Sequence, residues 1–185
     1  QIDEVRGNVL DVHAEDWRLR VAAAQSLQNG PHYGFIVGGE FVRGNQRGGG
    51  RYVMSQERDR VRALQLMDQA RQILVDADVP APEKSNFFRQ LSHLVLWARS
   101  GSEAWRLQDL TDLDELPDYE EGHHFRGCMH GGGKGAPVDA EGNPVLHAIP
   151  ESWDAAASDG ERWRWCLEQI VHYQPEQRSS VDYDF

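Results

Sequence analysis

The densest reactive chemistry in this chain lies in EEGHHFRGCMHGGGKG, residues 120–135. His123, His124, Cys128 and His130 place three imidazoles and one thiol within eight residues, a donor set suited to zinc or copper. The spacing is not that of a zinc finger, because there is no second Cys-x-x-Cys half, and it is not Cys-x-x-Cys-His haem attachment. These four residues are the candidate metal ligands. The opposing reading is a glycine-rich loop that exposes histidines and holds nothing, and on that reading no cofactor is expected.

The second stretch is RGNQRGGGRYVMSQERDRVRALQLM, residues 43–67, in which three glycines precede a helical pattern. A P-loop needs Lys and then Ser or Thr directly after its glycines, to meet the phosphate and its magnesium. Here Arg51, Tyr52, Val53 and Met54 intervene, and the G-x-G-x-x-G dinucleotide spacing is absent. Capture of an anion by Arg43, Arg47 and Arg51 beside a helix start stands against a plain glycine-rich turn. The turn is the expected outcome. An RNA-binding arginine–glycine segment is disfavoured for another reason: such segments act as solvated basic tails, and this one lies between ordered elements of an acidic chain.

Three further constellations fail on inspection. In DLTDLDELPDYEE a proline, Pro117, stands where a calcium loop needs glycine. Cys128 and Cys166 would each need a histidine base held by a third group, and nothing marks either as activated. Trp97, Trp105, Trp153, Trp163 and Trp165 could form a sugar platform, but Trp97 and Trp163 keep helical spacing with apolar neighbours, which favours core packing. The acidic residues from Asp109 to Glu121 have no base among them, and Arg58, Arg60 and Arg62 are expected to face them as internal ion pairs.

Composition narrows the class. The 185 residues carry 30 acids against 19 bases, a net charge of −11, which disfavours nucleic acid and anionic lipid as partners. Only Lys84 and Lys134 are lysines. The positive charge is therefore almost all arginine, the better partner for paired carboxylates. No apolar run approaches the ~18 residues that a membrane span requires. The chain opens at Gln1 without methionine or an apolar leader, and is expected to be a processed part or fragment of something longer.

Periodicity supplies the elements that must position these groups. Helices are expected from about Val12 to Gln28, from Ser55 to about Asp76, from Glu83 to about Arg99, and from Asp159 to about Tyr173, each with an apolar stripe at three- and four-residue steps. Ser102 to Gln108 is a candidate for one more helical turn. The second and third helices, joined by a short proline turn, suggest a helical hairpin. YGFIVGGEFVRG suggests a β-hairpin about Gly38–Gly39, and APVDAEGNPVLH a second one turning at Glu141–Asn143. Residues 111–153 otherwise form a long loop rich in glycine and proline. The fold class is therefore mainly α: a repeat-like helical-hairpin bundle with one or two small β-hairpins, in a single domain over 1–185.

Four strings carry a resemblance: HYGFIVGGEFVRG, GGGRYVMSQERDRVRALQLM, EAWRLQDLTDLDELPDYEEG and GAPVDAEGNPVLHAIPESWDAAASDGERWRWCLEQ. Together they span His32 to Tyr173 and resemble one region of large secreted bacterial proteins of the α-macroglobulin-like class. There a helical part precedes the macroglobulin domains. The resemblance implies a secreted or cell-envelope, non-catalytic helical module whose partner is another protein or the rest of a larger chain. It carries no functional residue over, because neither cysteine stands in a Cys-Gly-Glu-Gln thioester setting. If the chain is exported, a Cys128–Cys166 bridge becomes an alternative to a lone core cysteine. The alternative function is a metal-binding protein or metal-dependent enzyme using the 123–130 loop.

Overall fold

The computed structural model describes residues 2–99, 103–121 and 136–183. Within them the protein is mainly α, with a small antiparallel sheet. The single domain expected over 1–185 is subdivided into two compact units. One holds residues 2–77 and 112–121, and the other holds 78–99, 103–111 and 136–183.

The first unit begins with α1 (Ile2–Val12) and α2 (Trp17–Gln28). The helix expected from about Val12 to Gln28 is α2, which starts later, at Trp17, and α1 ahead of it was not anticipated. Asp16 makes the new start: its side chain accepts from the Arg18 and Leu19 backbone N–H groups, which satisfies two otherwise orphaned donors. α2 buries Val21, Ala23, Ala24 and Leu27, whereas α1 buries no residue. The expected hairpin forms as β1 (Tyr33–Val37) and β2 (Glu40–Arg43), with Phe35 opposite Val42. Two strands were not anticipated, β3 (Arg51–Met54) and the short β4 (Glu120–Glu121), and the sheet runs β2-β1-β3-β4. α3 (Gln56–Asp76) follows β3 and packs on α2 through Val61, Leu64, Met67, Ala70 and Leu74.

The second unit is built on α4 (Ala81–Leu96) and α5 (Asp159–Tyr173), which pack together. α4 starts at Ala81, with Pro82 in its first turn, where a missing N–H costs nothing. It buries Phe87, Phe88, Leu91, Leu94 and Val95 against Trp163, Cys166, Leu167 and Ile170 of α5. Ser158 caps α5 by accepting from Glu161 N–H, and the Glu161 carboxylate accepts from Ala157 N–H, a near relative of the reciprocal capping box. A 3-10 turn (Ala104–Arg106) takes the place of the extra helical turn. The chain after α5 makes a second 3-10 turn and then α6 (Arg178–Tyr183). At Glu141–Asn143 a tight turn is closed by a bridge between Val138 and Pro144, matching the second expected hairpin in miniature. Within the first unit α3 packs chiefly on α2, and within the second α4 packs chiefly on α5.

Candidate functional site

The four candidate metal ligands, His123, His124, Cys128 and His130, lie outside the described residues. Among the described residues no group of three or more His, Cys, Asp or Glu is placed to hold a metal ion. Cys166 is fully buried on the packed face of α5. The glycine run leads into β3 and not into a helix N-terminus, and Arg51, its last arginine, forms an ion pair with Glu121. Trp153 and Trp163 are buried, and Trp165 packs edge-on against both Trp153 and Phe88. Those rings fill core rather than present a sugar platform.

The first unit contains a polar node that the sequence did not announce. It joins α1, β2, α3 and the β1 entry. Arg43, at the end of β2, donates from Nη1 and Nη2 to the two carboxylate oxygens of Asp59, at 2.6 and 2.8 Å. Its Nε reaches Asp3 at 3.0 Å, and Nη1 also donates to the Pro31 carbonyl at 2.7 Å. Ser55 Oγ donates to Asp59 at 2.8 Å, and His32 Nδ1 lies 3.1 Å from the same carboxylate. Burial alone raises the Asp59 pKa, but hydrogen bonds from His32, Arg43 and Ser55 and the Arg43 charge outweigh it and hold the carboxyl below its ordinary range. For Arg43 burial acts downward, and the Asp59 and Asp3 carboxylates reverse it, so its pKa is raised.

Ser55, His32 and Asp59 are the residue types of a hydrolase triad, but their order is wrong for one. A nucleophilic serine passes its proton to a histidine, which the aspartate orients. Here Ser55 and His32 both bond Asp59, so Ser55 donates to a carboxylate already claimed by Arg43. Ser55 is also 1% exposed, beyond the reach of a substrate. This node is structural.

Beside it opens a cavity of about 410 Å³, contained in the first unit. Arg6 and Leu10 of α1, Leu27 of α2, Phe41 and Arg43 of β2, and Arg58 and Arg62 of α3 line it, with Leu116 and Tyr119 closing one side. Phe41 crosses the sheet over Gly34, where a Cβ would stand 2.6 Å from the ring, so only glycine lets the ring lie there. Phe41 stacks on Tyr119 with centroids 4.5 Å apart. Arg43 lies over the Phe41 ring at 5.2 Å and Arg58 over the Tyr119 ring at 4.8 Å, both in the cation–π range.

Of Arg58, Arg60 and Arg62, Arg58 meets the segment that carries the acidic residues directly and Arg62 only through Gln65, and neither bond goes to a carboxylate. Arg58 donates to the Pro117 carbonyl at 2.7 Å, and Arg62 donates to Gln65, whose amide donates to the Leu113 carbonyl. Arg60 is fully buried and pairs with Glu57 on its own helix at 3.4 Å. The acids of the segment are exposed, with Glu121 paired to Arg51 at the surface, while the Pro117 and Leu113 carbonyls, which must find donors, take the Arg58 guanidinium and the Gln65 amide.

No family model, no curated protein and no solved structure matches the chain. Among the described residues no helix is long and apolar enough to cross a membrane.

Proposed function

We propose that this chain is a non-catalytic binding and scaffolding module of a larger secreted or cell-envelope bacterial protein, similar to the helical part that precedes the macroglobulin domains of α-macroglobulin-like proteins. The observation that carries the binding reading is the cavity of the first unit. Its charged groups are recognition groups: Arg6 and Arg43 are fixed by Asp3 and Asp59, Arg58 by a carbonyl, and an aromatic pair stacks beside them. A preformed, partly apolar recess with a few oriented polar groups is the usual form of a binding site. The nearest serine, Ser55, is committed to a buried carboxylate, so the recess offers orientation and charge rather than a nucleophile. The strings that span His32 to Tyr173 supply the location and the larger context.

The test is fractionation of the native bacterial cells with an antibody raised against this chain. The expected result is a band well above 21.0 kDa in the periplasmic, envelope or medium fraction. A band of the chain's own mass in the cytosol would overturn the reading.

A further inference from the structure

The basic groups of the cavity fall into two classes. Arg6 lies 2.6 Å from Asp3, and Arg43 is neutralised by Asp59 and Asp3. Arg58 and Arg62 have no carboxylate within ion-pair distance among the described residues; their hydrogen bonds go to Pro117 and Gln65, both neutral. They stand one turn apart on α3, so their side chains share a face. Arg20 of α2 adds to the excess, because its Nε and Nη1 are buried without a hydrogen-bond partner among the described residues. Burial, and after it the Arg20 charge, lowers the Arg62 pKa, and the Asp11 carboxylate acts against both without reversing them. In a chain of net charge −11, two cavity arginines with no carboxylate bonded to them, and a third arginine close enough to act on one of them, need an explanation.

We propose that the Arg58–Arg62 side of this cavity receives the carboxylate of a monoanionic ligand whose apolar body lies against Leu10, Leu27 and Leu116. The proposal rests on the binding-module reading and names the ligand class. The charge of the ligand follows from the lining. Four guanidiniums face three carboxylates, those of Asp3, Glu40 and Asp59, which leaves one net positive charge. A monoanion is matched, and a dianion meets three carboxylates nearby. Guanidinium N–H pairs suit the two oxygens of a carboxylate, and Arg58 and Arg62 are held in place before the ligand arrives. The three leucines make an apolar floor, and about 410 Å³ accommodates a ligand the size of one capped amino acid. Such a carboxylate has two sources, the C-terminal end of a peptide and a free aliphatic acid.

The experiment is calorimetric titration of the full chain with four probes: N-acetyl-leucine, its neutral analogue N-acetyl-leucinamide, 4-methylpentanoate and inorganic phosphate. The expected result is binding of at least one of the two carboxylates, at least tenfold tighter than the amide and tighter than phosphate. N-acetyl-leucine ahead of 4-methylpentanoate identifies a peptide terminus as the source, and the reverse order a free acid. Arg62→Gln should weaken binding at least tenfold, and Arg20→Met, chosen because its apolar stem packs as arginine's does, should weaken it at least threefold. Unchanged melting temperatures show that the variants are folded. Equal binding of acid and amide, phosphate binding as tightly as the acids, undiminished binding by folded Arg62→Gln, or no binding of either acid would overturn the proposal. Export and band size do not depend on any of these outcomes, so the ligand class can fail while the module reading stands.

Discussion

Arg43 and Asp59 meet through two parallel hydrogen bonds, Nη1 to Oδ2 at 2.6 Å and Nη2 to Oδ1 at 2.8 Å, with side chains 8% and 4% exposed. The pair pins the end of β2 to the first turn of α3, and Asp3 brings α1 to the same guanidinium. α1 buries none of its own side chains fully, and this polar contact and the Arg6–Ser26 hydrogen bond tie it to the rest of the first unit. The geometry of the neighbouring cavity depends on both elements.

Removing one partner of a buried, hydrogen-bonded ion pair leaves the other charge stranded. Asp59→Ala strands Arg43 and deprives His32 and Ser55 of their acceptor. It should destabilise the fold by roughly 3–5 kcal/mol, whereas Arg43→Met combined with Asp59→Leu should cost much less than the two single changes added together. Urea unfolding at neutral pH measures both. A single-variant loss below about 1 kcal/mol would contradict the assigned role.

The same carboxylate makes stability depend on acid. The Asp59 pKa is lower in the folded state than its ordinary 3.8, so the unfolded state takes up a proton first as pH falls. Its stabilising contribution is complete above the ordinary value and is lost as pH drops through the lower, folded one. Between about pH 5 and pH 2 the wild type should lose stability more steeply than Asp59→Asn, which has no proton to bind there. Melting temperatures of the two proteins across that range test the sign; parallel curves would refute it.

In the second unit the His147 ring lies against Gly160, where an added Cβ would stand 2.2 Å from ring atoms. His147 Nε2 also reaches the Ala104 carbonyl at 2.9 Å. Gly160→Ala must displace the ring and that hydrogen bond, at a cost of about 1–3 kcal/mol. In a His147→Ala background the obstruction is gone, and the same change should stabilise by up to about 1 kcal/mol, because alanine is the better helix residue. Thermal melts of the four proteins in this cycle decide it, and a cost that persists without His147 would assign the effect elsewhere.

What could be read from the sequence was what local chemistry decides. α5 runs from Asp159 to Tyr173 as expected, because Ser158 and Glu161 cap its start and Pro175 closes its end within a few residues. α2 was expected to start near Val12, and not at Trp17, because Leu10 and Val12 lead the apolar period towards Trp17, and α1 itself was not anticipated. Asp16 just ahead of that tryptophan was the available signal. β3 was missed because four residues beside a glycine run show too little alternation to register, and its burial at Val53 comes from a tertiary partner.

The candidate site was legible only in part. Arg58, Arg60 and Arg62 stood out as a basic cluster, but their partners were assigned by charge to the nearby acids. The contacts formed instead are with Pro117, Gln65 and the Tyr119 ring, because a carbonyl or ring in the packed segment has no water to satisfy it. Phe41 and Tyr119 stack from positions far apart in the chain, and Arg43 finds Asp3 across 40 residues. No spacing rule joins such residues.

Arg20 offers the last test, because here stability and binding should move in opposite directions. Its Nε and Nη1 are buried without partners among the described residues, and its charge opposes that of Arg62. Arg20→Met removes the unsatisfied donors and the like charge while keeping a flexible apolar stem. A gain of about 1 kcal/mol in urea unfolding without ligand is expected, since apolar replacement of poorly compensated buried polar groups is often neutral or stabilising. The same variant should lose part of its affinity for the carboxylate probes. An arginine that merely packs would give a loss of stability and no change in affinity. A more stable variant that binds less tightly marks a residue retained for its charge at a cost to the fold, as groups at functional sites commonly are.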